Sequence, residues 1–190
     1  MTVLKNIQSL VLPLPVTLTT CRARPKDPGT DNIIALSWVG IVEHRPHMVN
    51  IVIGNKKYSA KIISKTGEFG LCIASADLMG KVDICGYTHG DRVDKFKLAG
   101  LTRFPGEKTD LSLIKECPIC LECAVREIIN GNTHDIFIGE VVCTHIGEKF
   151  LGKEGEIEIG KMNILSYMND EYWTVGKKLE DLYYSKKGEK

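Results

Sequence analysis

The chain of 190 residues carries 25 lysines and arginines against 24 aspartates and glutamates, so its formal net charge is +1. The charges are interspersed, which argues against a basic nucleic-acid-binding face. The apolar stretch 10–16 is too short to span a membrane and contains two prolines. We therefore expect one soluble, cytoplasmic domain over 1–190 that binds neither nucleic acid nor membrane, with 185–190 as a flexible tail.

Seven cysteines form an odd, scattered set, at positions 21, 72, 85, 117, 120, 123 and 143. A chain of this length can bury a core without disulfides, so the set indicates free thiols in a reducing compartment. Cys117, Cys120 and Cys123 have the C-x2-C-x2-C spacing of cluster ligands. The alternation from Ile119 onward is that of a strand, which would turn Cys120 and Cys123 to opposite faces. We expect no metal there and buried strand cysteines instead; a metal protein built on this motif is kept as a third hypothesis.

The first part of the chain alternates between β-branched runs and turn residues. Residues 15–21 predict a strand and residues 22–31 a loop. Two strands follow, over 33–42 and 48–53. The second is a nearly unbroken apolar run, which is typical of a strand covered on both faces.

The middle of the chain mixes helical and extended patterns. A helix is predicted over 58–65, with Gly67 as its stop. A strand over 68–74 and a helix capped by Ser75 come next. Residues 85–90 then predict a turn.

The remaining pattern predicts a short helix over 91–99 that stops at Gly100, and strands over 119–128 and 136–144 joined by the hairpin signal N-G-N-T. A last strand is expected near 172–175. Many short strands with a few inserted helices indicate a mainly β, β-rich α+β fold. We expect an antiparallel barrel and not a doubly wound sheet.

The segment 54–59, G-N-K-K-Y-S, lies where a predicted strand gives way to a predicted helix. Backbone N–H groups and the positive end of a helix converge at such a point, which favours a phosphate. Two lysines at a helix start are commonly just solvated, but the adjacent glycine and hydroxyl groups make an anion site an equal alternative. The apolar segment 35–38 would add a flat wall beside it.

His134 follows the predicted hairpin turn. It is either a turn histidine that bonds locally or a titratable donor at the mouth of a barrel. The sequence contains no H-E-x-x-H, nucleophile elbow, Walker loop or G-x-G-x-x-G. A zinc protease, a hydrolase and a P-loop enzyme therefore lack residue-level support.

Four segments occur in one order along the chain: NIIALSWVGIV at 32–42, KKYSAKII at 56–63, CGYTHGDRVDKF at 85–96 and HDIFIGEVV at 134–142. Together they resemble the flavin reductase-like, FMN-binding split-barrel family, and within it the flavoredoxin branch. The resemblance implies an antiparallel split β-barrel that forms a homodimer, with FMN held near the subunit interface.

The resemblance also implies which residues hold FMN. The ring system is expected against Asn32, Ala35, Leu36, Ser37 and Trp38. The phosphate end is expected at Gly54, Asn55, Lys56, Lys57, Tyr58 and Ser59, together with a second loop of Cys85, Gly86, His89, Gly90, Arg92 and Lys95. His134 is expected to orient, or hydrogen-bond to, the flavin or nicotinamide.

The chain departs from the family pattern in the second loop. Relatives commonly read S-G-R where this chain has His89-Gly90-Asp91, so either Arg92 replaces the missing cation or the loop is rearranged. Lysines at 56–57 stand where relatives often carry arginine, and they give point charges instead of a bidentate fork.

Two functions follow from the resemblance. The first is an oxidoreductase that passes electrons from NAD(P)H through bound FMN to free flavin or another acceptor. The alternative is a flavoredoxin-type electron carrier that serves a protein partner without direct NAD(P)H activity. In both, the flavin carries the redox chemistry, so no strong acid, base or nucleophile is required of the protein. The sequence does not distinguish NADH from NADPH or assign a redox role to the cysteines.

Overall fold

The computed structural model describes Thr2 and residues 9–183, so the expected tail at 185–190 lies outside the described residues. The strands of this part are β1 Leu14–Pro15, β2 Thr17–Arg22, β3 Asp31–Leu36, β4 Val39–His44, β5 His47–Gly54, β6 Glu68–Ile73, β7 Arg103–Pro105, β8 Ser112–Ile114, β9 Ile119–Ile129, β10 His134–Ile146, β11 Leu165–Met168 and β12 Glu171–Thr174. Its α-helices are α1 Tyr58–Thr66, α2 Met79–Tyr87 and α3 Lys95–Ala99. None of these helices is long and apolar enough to cross a bilayer.

Seven strands form the main sheet in the spatial order β3-β2-β6-β9-β10-β5-β4, and every neighbouring pair is antiparallel. The strands β1, β11 and β12 form a second sheet, and β7 pairs with β8. The predicted β-rich antiparallel fold is confirmed. The β9–β10 hairpin, β12 and helix α1 with its left-handed stop at Gly67 (φ 72°) are confirmed as well.

The sheet closes on itself because its two edge strands are consecutive in the chain. Only Ser37 and Trp38 separate β3 from β4, although these strands lie at opposite ends of the seven-strand order. So short a connection spans about 10 Å, so the sheet must curl until its edges meet. The Val52 N–H donates to the Trp38 carbonyl at 3.0 Å and ties this corner to β5. The single strand predicted over 33–42 is therefore wrong, since the chain turns a corner at 37–38.

Two hydrophobic clusters fill the fold. One includes Leu18, Cys72 and Phe96, and the other includes Phe69 and Phe137. Strand β5 alternates between buried residues and less buried ones along its length, so the expectation that both its faces are covered is wrong in this structure. Its inward face alone contributes to the core.

The segment 85–99 differs from its prediction. Helix α2 continues through Tyr87, so the predicted turn over 85–90 is wrong for its first half. Helix α3 begins only at Lys95, because the Asp94 carboxylate accepts the Lys97 N–H at 3.2 Å and caps it there. Ser75 makes no side-chain cap; a short 3-10 turn precedes α2 instead.

Candidate functional site

Two adjoining clefts lie at the end of the barrel where β5 passes into α1. The first, which we call the cationic cleft, has a volume of about 720 Å³ and is lined by Gly54, Asn55, Lys56, Lys57, Tyr58, Lys61, His89, Asp91, Asn132 and Thr133. The second, the apolar cleft, has a volume of about 220 Å³ and is lined by Ile34, Ala35, Leu36, Ser37, Trp38, Val52, Gly54, Lys57, Gly86 and His134. They share Gly54 and Lys57, so together they form one elongated site.

The cationic cleft is built on the start of α1. The Lys57 N–H donates to the Gly54 carbonyl at 2.9 Å, which turns the chain from strand into helix. Lys57 occupies the cap position with extended dihedrals, and its own side chain makes no capping hydrogen bond to the first turn of α1. The N–H groups of that turn are therefore available to an anion, and Lys61 adds a cation one turn further on.

The hairpin loop between β9 and β10 forms the facing wall. The Asn55 N–H donates to the Thr133 carbonyl at 3.0 Å, and the Asn55 side chain donates to the Asn132 carbonyl at 3.2 Å. The loop after α2 also contributes to the cationic cleft, where Asp91 and not Arg92 is a lining residue. Three lysines against one aspartate still make the site attractive to an anion.

The apolar cleft is formed by the corner between β3 and β4. The register of the sheet sets His134 directly opposite Gly54. The Trp38 and His134 ring centroids lie 5.1 Å apart at an interplanar angle of 38°. Trp38 is 51% exposed, and the Thr133 hydroxyl lies 2.9 Å from His134 Nδ1. The cleft is thus a slot with aromatic and aliphatic walls that opens onto the cations.

A buried polar layer supports both clefts from below. Asn32 Nδ2 donates to Ser59 Oγ at 2.9 Å, whereas the buried Asn32 Oδ1 has no hydrogen-bond partner among the described residues. A Cβ on Gly90 would lie 1.8 Å from that oxygen, so only glycine fits there. Lys95 Nζ donates to the Cys85 carbonyl at 2.7 Å. Burial lowers the pKa of Lys95 and raises the pKa of the Cys85 thiol to about 11.

The structure brings together most of the residues that the sequence singles out. Those that line the clefts are Ala35, Leu36, Ser37, Trp38, Gly54, Asn55, Lys56, Lys57, Tyr58, Gly86, His89 and His134. Asn32, Ser59, Cys85 and Lys95 are buried beneath them, and neither Gly90 nor Arg92 is part of either lining.

Three residues that line the cationic cleft were not predicted from the sequence: Lys61, Asn132 and Thr133. Lys61 lies four residues after Lys57 on the same helix, a spacing that could have identified it. Asn132 and Thr133 reach the site only through the pairing of β10 with β5, which no local pattern announces.

Comparisons with known proteins agree with this geometry. A family model described as "Flavin reductase like domain" matches residues 9–176. Flavoredoxin of Desulfovibrio vulgaris (Miyazaki F) is 26% identical and superposes with a TM-score of 0.88 over 97% of this chain and 99% of its own. Flavoredoxin from Methanosarcina acetivorans is 31% identical, with a TM-score of 0.86 over 98% of each chain. A protein with a split barrel domain from Shewanella frigidimarina, 18% identical over 91% of this chain and 87% of its own, has a TM-score of 0.80 and shows the fold alone. The predicted split barrel is confirmed.

Proposed function

Because the chain belongs to the flavin reductase-like family, we propose that it is an FMN-binding oxidoreductase. In this proposal it passes electrons from NAD(P)H through bound flavin to free flavin or another acceptor. The observation that carries the proposal is the continuity of a cationic cleft with an apolar slot, through the shared Gly54 and Lys57. FMN has the matching chemistry, since a phosphate is joined by a short polar chain to a flat ring.

The donor set of the cationic cleft fits a phosphate. Lys56, Lys57 and Lys61 would hold it together with the uncapped first-turn N–H groups of α1. Asp91 faces the same space and opposes an anion, so we assign the grip to the three lysines and the helix terminus and give Arg92 no part in it.

The apolar cleft would hold the ring. The segment Ala35–Trp38 supplies one wall, and Trp38 with His134 supplies an aromatic edge beside it. His134 would orient the bound ring or a nicotinamide by a hydrogen bond. When bound, FMN supplies the hydride and electron chemistry, and the protein supplies position and electrostatics.

An anaerobic absorbance spectrum tests the proposal. Purified protein, reconstituted with FMN and freed of excess, is mixed with NADH and separately with NADPH. Bleaching of the bound flavin within the mixing time, followed by turnover with free flavin, is the expected result. Protein that retains no flavin after reconstitution would refute the proposal.

The second candidate is an electron carrier for a redox protein partner. It is favoured by one observation, the likeness to two flavoredoxins over nearly the whole chain. Flavin that binds but stays oxidised until dithionite is added would select this function over the reductase.

We further propose that the protein is a cytoplasmic homodimer with the flavin near the subunit interface. The strand β4 follows Trp38 of the apolar cleft in the chain and leaves Ile41 88% exposed and Val42 about half exposed. Apolar side chains clustered on a sheet edge are an expected contact surface between copies. Light scattering of the purified protein distinguishes a dimer from a monomer.

A further inference from the structure

A row of thiol and imidazole side chains crosses three strands of the main sheet. Cys72 on β6 lies directly opposite Cys120 on β9, and Cys120 lies directly opposite His145 on β10. Directly opposed residues of antiparallel strands share one face, with Cα atoms about 4.5–5.5 Å apart. Cys120 is therefore flanked by a second thiol on one side and by an imidazole on the other.

A third thiol joins this row from the turn that precedes β9. The Cys117 N–H donates to the Ile114 carbonyl at 3.2 Å, and this turn places Cys117 in the same hydrophobic cluster as Cys72 and Cys120. Cys123 packs in the other cluster. The thiols that converge are thus not those of the C-x2-C-x2-C motif, as Cys72 replaces Cys123.

The three thiols influence one another strongly. Hydrogen bonds from the Cys117 and Cys72 thiols lower the pKa of Cys120 to about 4. Burial and the two neighbouring thiols raise the pKa of Cys72. The hydrogen bond to Cys120 raises the pKa of Cys117. The Cys120 thiol donates to the Ile114 carbonyl at 3.4 Å, the same carbonyl that accepts the Cys117 N–H, so both cysteines are held at one turn.

His145 is held in the manner of a metal ligand. Its Nε2 lies 2.6 Å from Oε1 of Glu122, whose side chain is fully buried. A carboxylate on one ring nitrogen fixes the ring and leaves the other nitrogen, here Nδ1, for a metal. The loop 107–109 in turn fixes Glu122 through three backbone N–H groups and the Thr109 hydroxyl.

A cavity of about 500 Å³ leads to this group. Cys117, Cys120 and His145 line it, together with the cations Arg103 and Lys115. An ion can enter by this route, which Glu148 also lines. Arg103 is already paired with Asp31 and Asp94, so Lys115 is the cation that would partly offset the negative charge of bound thiolates.

We propose that Cys72, Cys117, Cys120 and His145 form a site for a thiophilic divalent cation of the zinc type. Three cysteines and one histidine are an established four-coordinate donor set for structural zinc. Binding joins two neighbouring strand pairs and the turn before β9 at one point, and so stabilises this side of the barrel.

A second group of potential metal ligands lies beside this site. Within the described residues, ligand atoms of Glu122, Cys143 and His145 all lie within 4.8 Å of one another. The Glu122 carboxylate is already saturated by the loop 107–109, and its oxygen is hydrogen-bonded to the imidazole, which leaves no room for an ion between them. Side-chain rotation would draw the four ligand atoms of the proposed site together as the cation binds.

Cobalt(II) titration of the anaerobically purified full-length protein tests the proposal. One equivalent should produce the visible bands of tetrahedral cobalt and the near-ultraviolet bands of thiolate coordination, and zinc should abolish both. The variants Cys117→Ser and Cys120→Ser should each lose these bands. Cys123→Ser, equally buried on the same strand, is the matched control and should retain them.

Several outcomes would overturn the proposal. The first is the absence of thiolate bands, and the second is their persistence in both Cys117→Ser and Cys120→Ser. The third is their loss in Cys143→Ser, which would assign the ion to the group of Glu122, Cys143 and His145. A protein whose mass is lower by two hydrogen atoms and that takes up no metal would instead carry a disulfide. Cys117 lies in a turn, so its serine variant tests the site even where Cys120→Ser fails to fold. FMN binding is measured on each variant and should be unchanged, so failure here is distinguishable from failure of the flavin proposal.

Discussion

Replacement of Glu122 by glutamine is expected to destabilise the protein by about 3 kcal/mol at pH 7. Burial by itself would raise the pKa of this carboxyl group. Hydrogen bonds from His145, Thr109 and the backbone N–H groups of Glu107 and Lys108 outweigh that effect and lower the pKa from 4.5 to about 2. At about 1.4 kcal/mol per pKa unit, the difference corresponds to about 3 kcal/mol of folding free energy.

The sign of this contribution fixes its pH dependence. A carboxyl whose pKa is lowered by folding stabilises the protein fully above its unfolded pKa, near 4.5, and loses that contribution as the pH falls towards 2. Glutamine carries no charge at any pH and turns an N–H group towards donors of the loop 107–109. The free-energy difference between wild type and Glu122→Gln should therefore shrink progressively below pH 4.5.

Urea unfolding at pH 7 and at steps down to pH 3 measures both effects. Glu127→Gln is the matched control, since Glu127 lies on the same strand with its side chain exposed, and it should change stability by less than about 0.5 kcal/mol. Equal losses of stability in the two variants would contradict this prediction. A loss in Glu122→Gln that is the same at pH 7 and pH 3 would also contradict it.

Two further predictions concern the clefts. Lys57→Ala should weaken FMN binding at least tenfold, and the loss should be larger at low salt, whereas Lys65→Ala at the far end of α1 should not weaken it. Fluorescence titration at several ionic strengths measures the affinity of both variants. Equal losses in the two variants would exclude the cationic cleft as the phosphate site. Gly90→Ala should lower the melting temperature and the FMN affinity, because its Cβ would collide with Asn32. Gly80→Ala is the control: its Cβ would meet nothing within 4 Å, so both quantities should stay unchanged or the melting temperature should rise. A Gly90→Ala variant as stable as the wild type would contradict this packing.

The sequence by itself determined the features that depend on near neighbours. Helix α1 follows from apolar residues at helical spacing and from the glycine at position 67, which adopts the left-handed conformation that a helix stop requires. The β9–β10 hairpin follows from two β-rich runs around N-G-N-T. The strand-to-helix junction at 54–59 follows from an apolar β run that gives way to apolar residues at helical spacing.

Only the tertiary structure decided which distant residues meet. The corner at 37–38 exists because β3 and β4 must reach opposite edges of a sheet that closes on itself, and the run 33–42 contains no local signal for it. The same closure buries Asn32 beneath the clefts and brings Asn132 to their rim. Cys72 meets Cys120 through strand pairing across 48 residues of chain. Register between distant strands is set by the simultaneous burial of whole sheet faces, and therefore these contacts could not be predicted from any single segment.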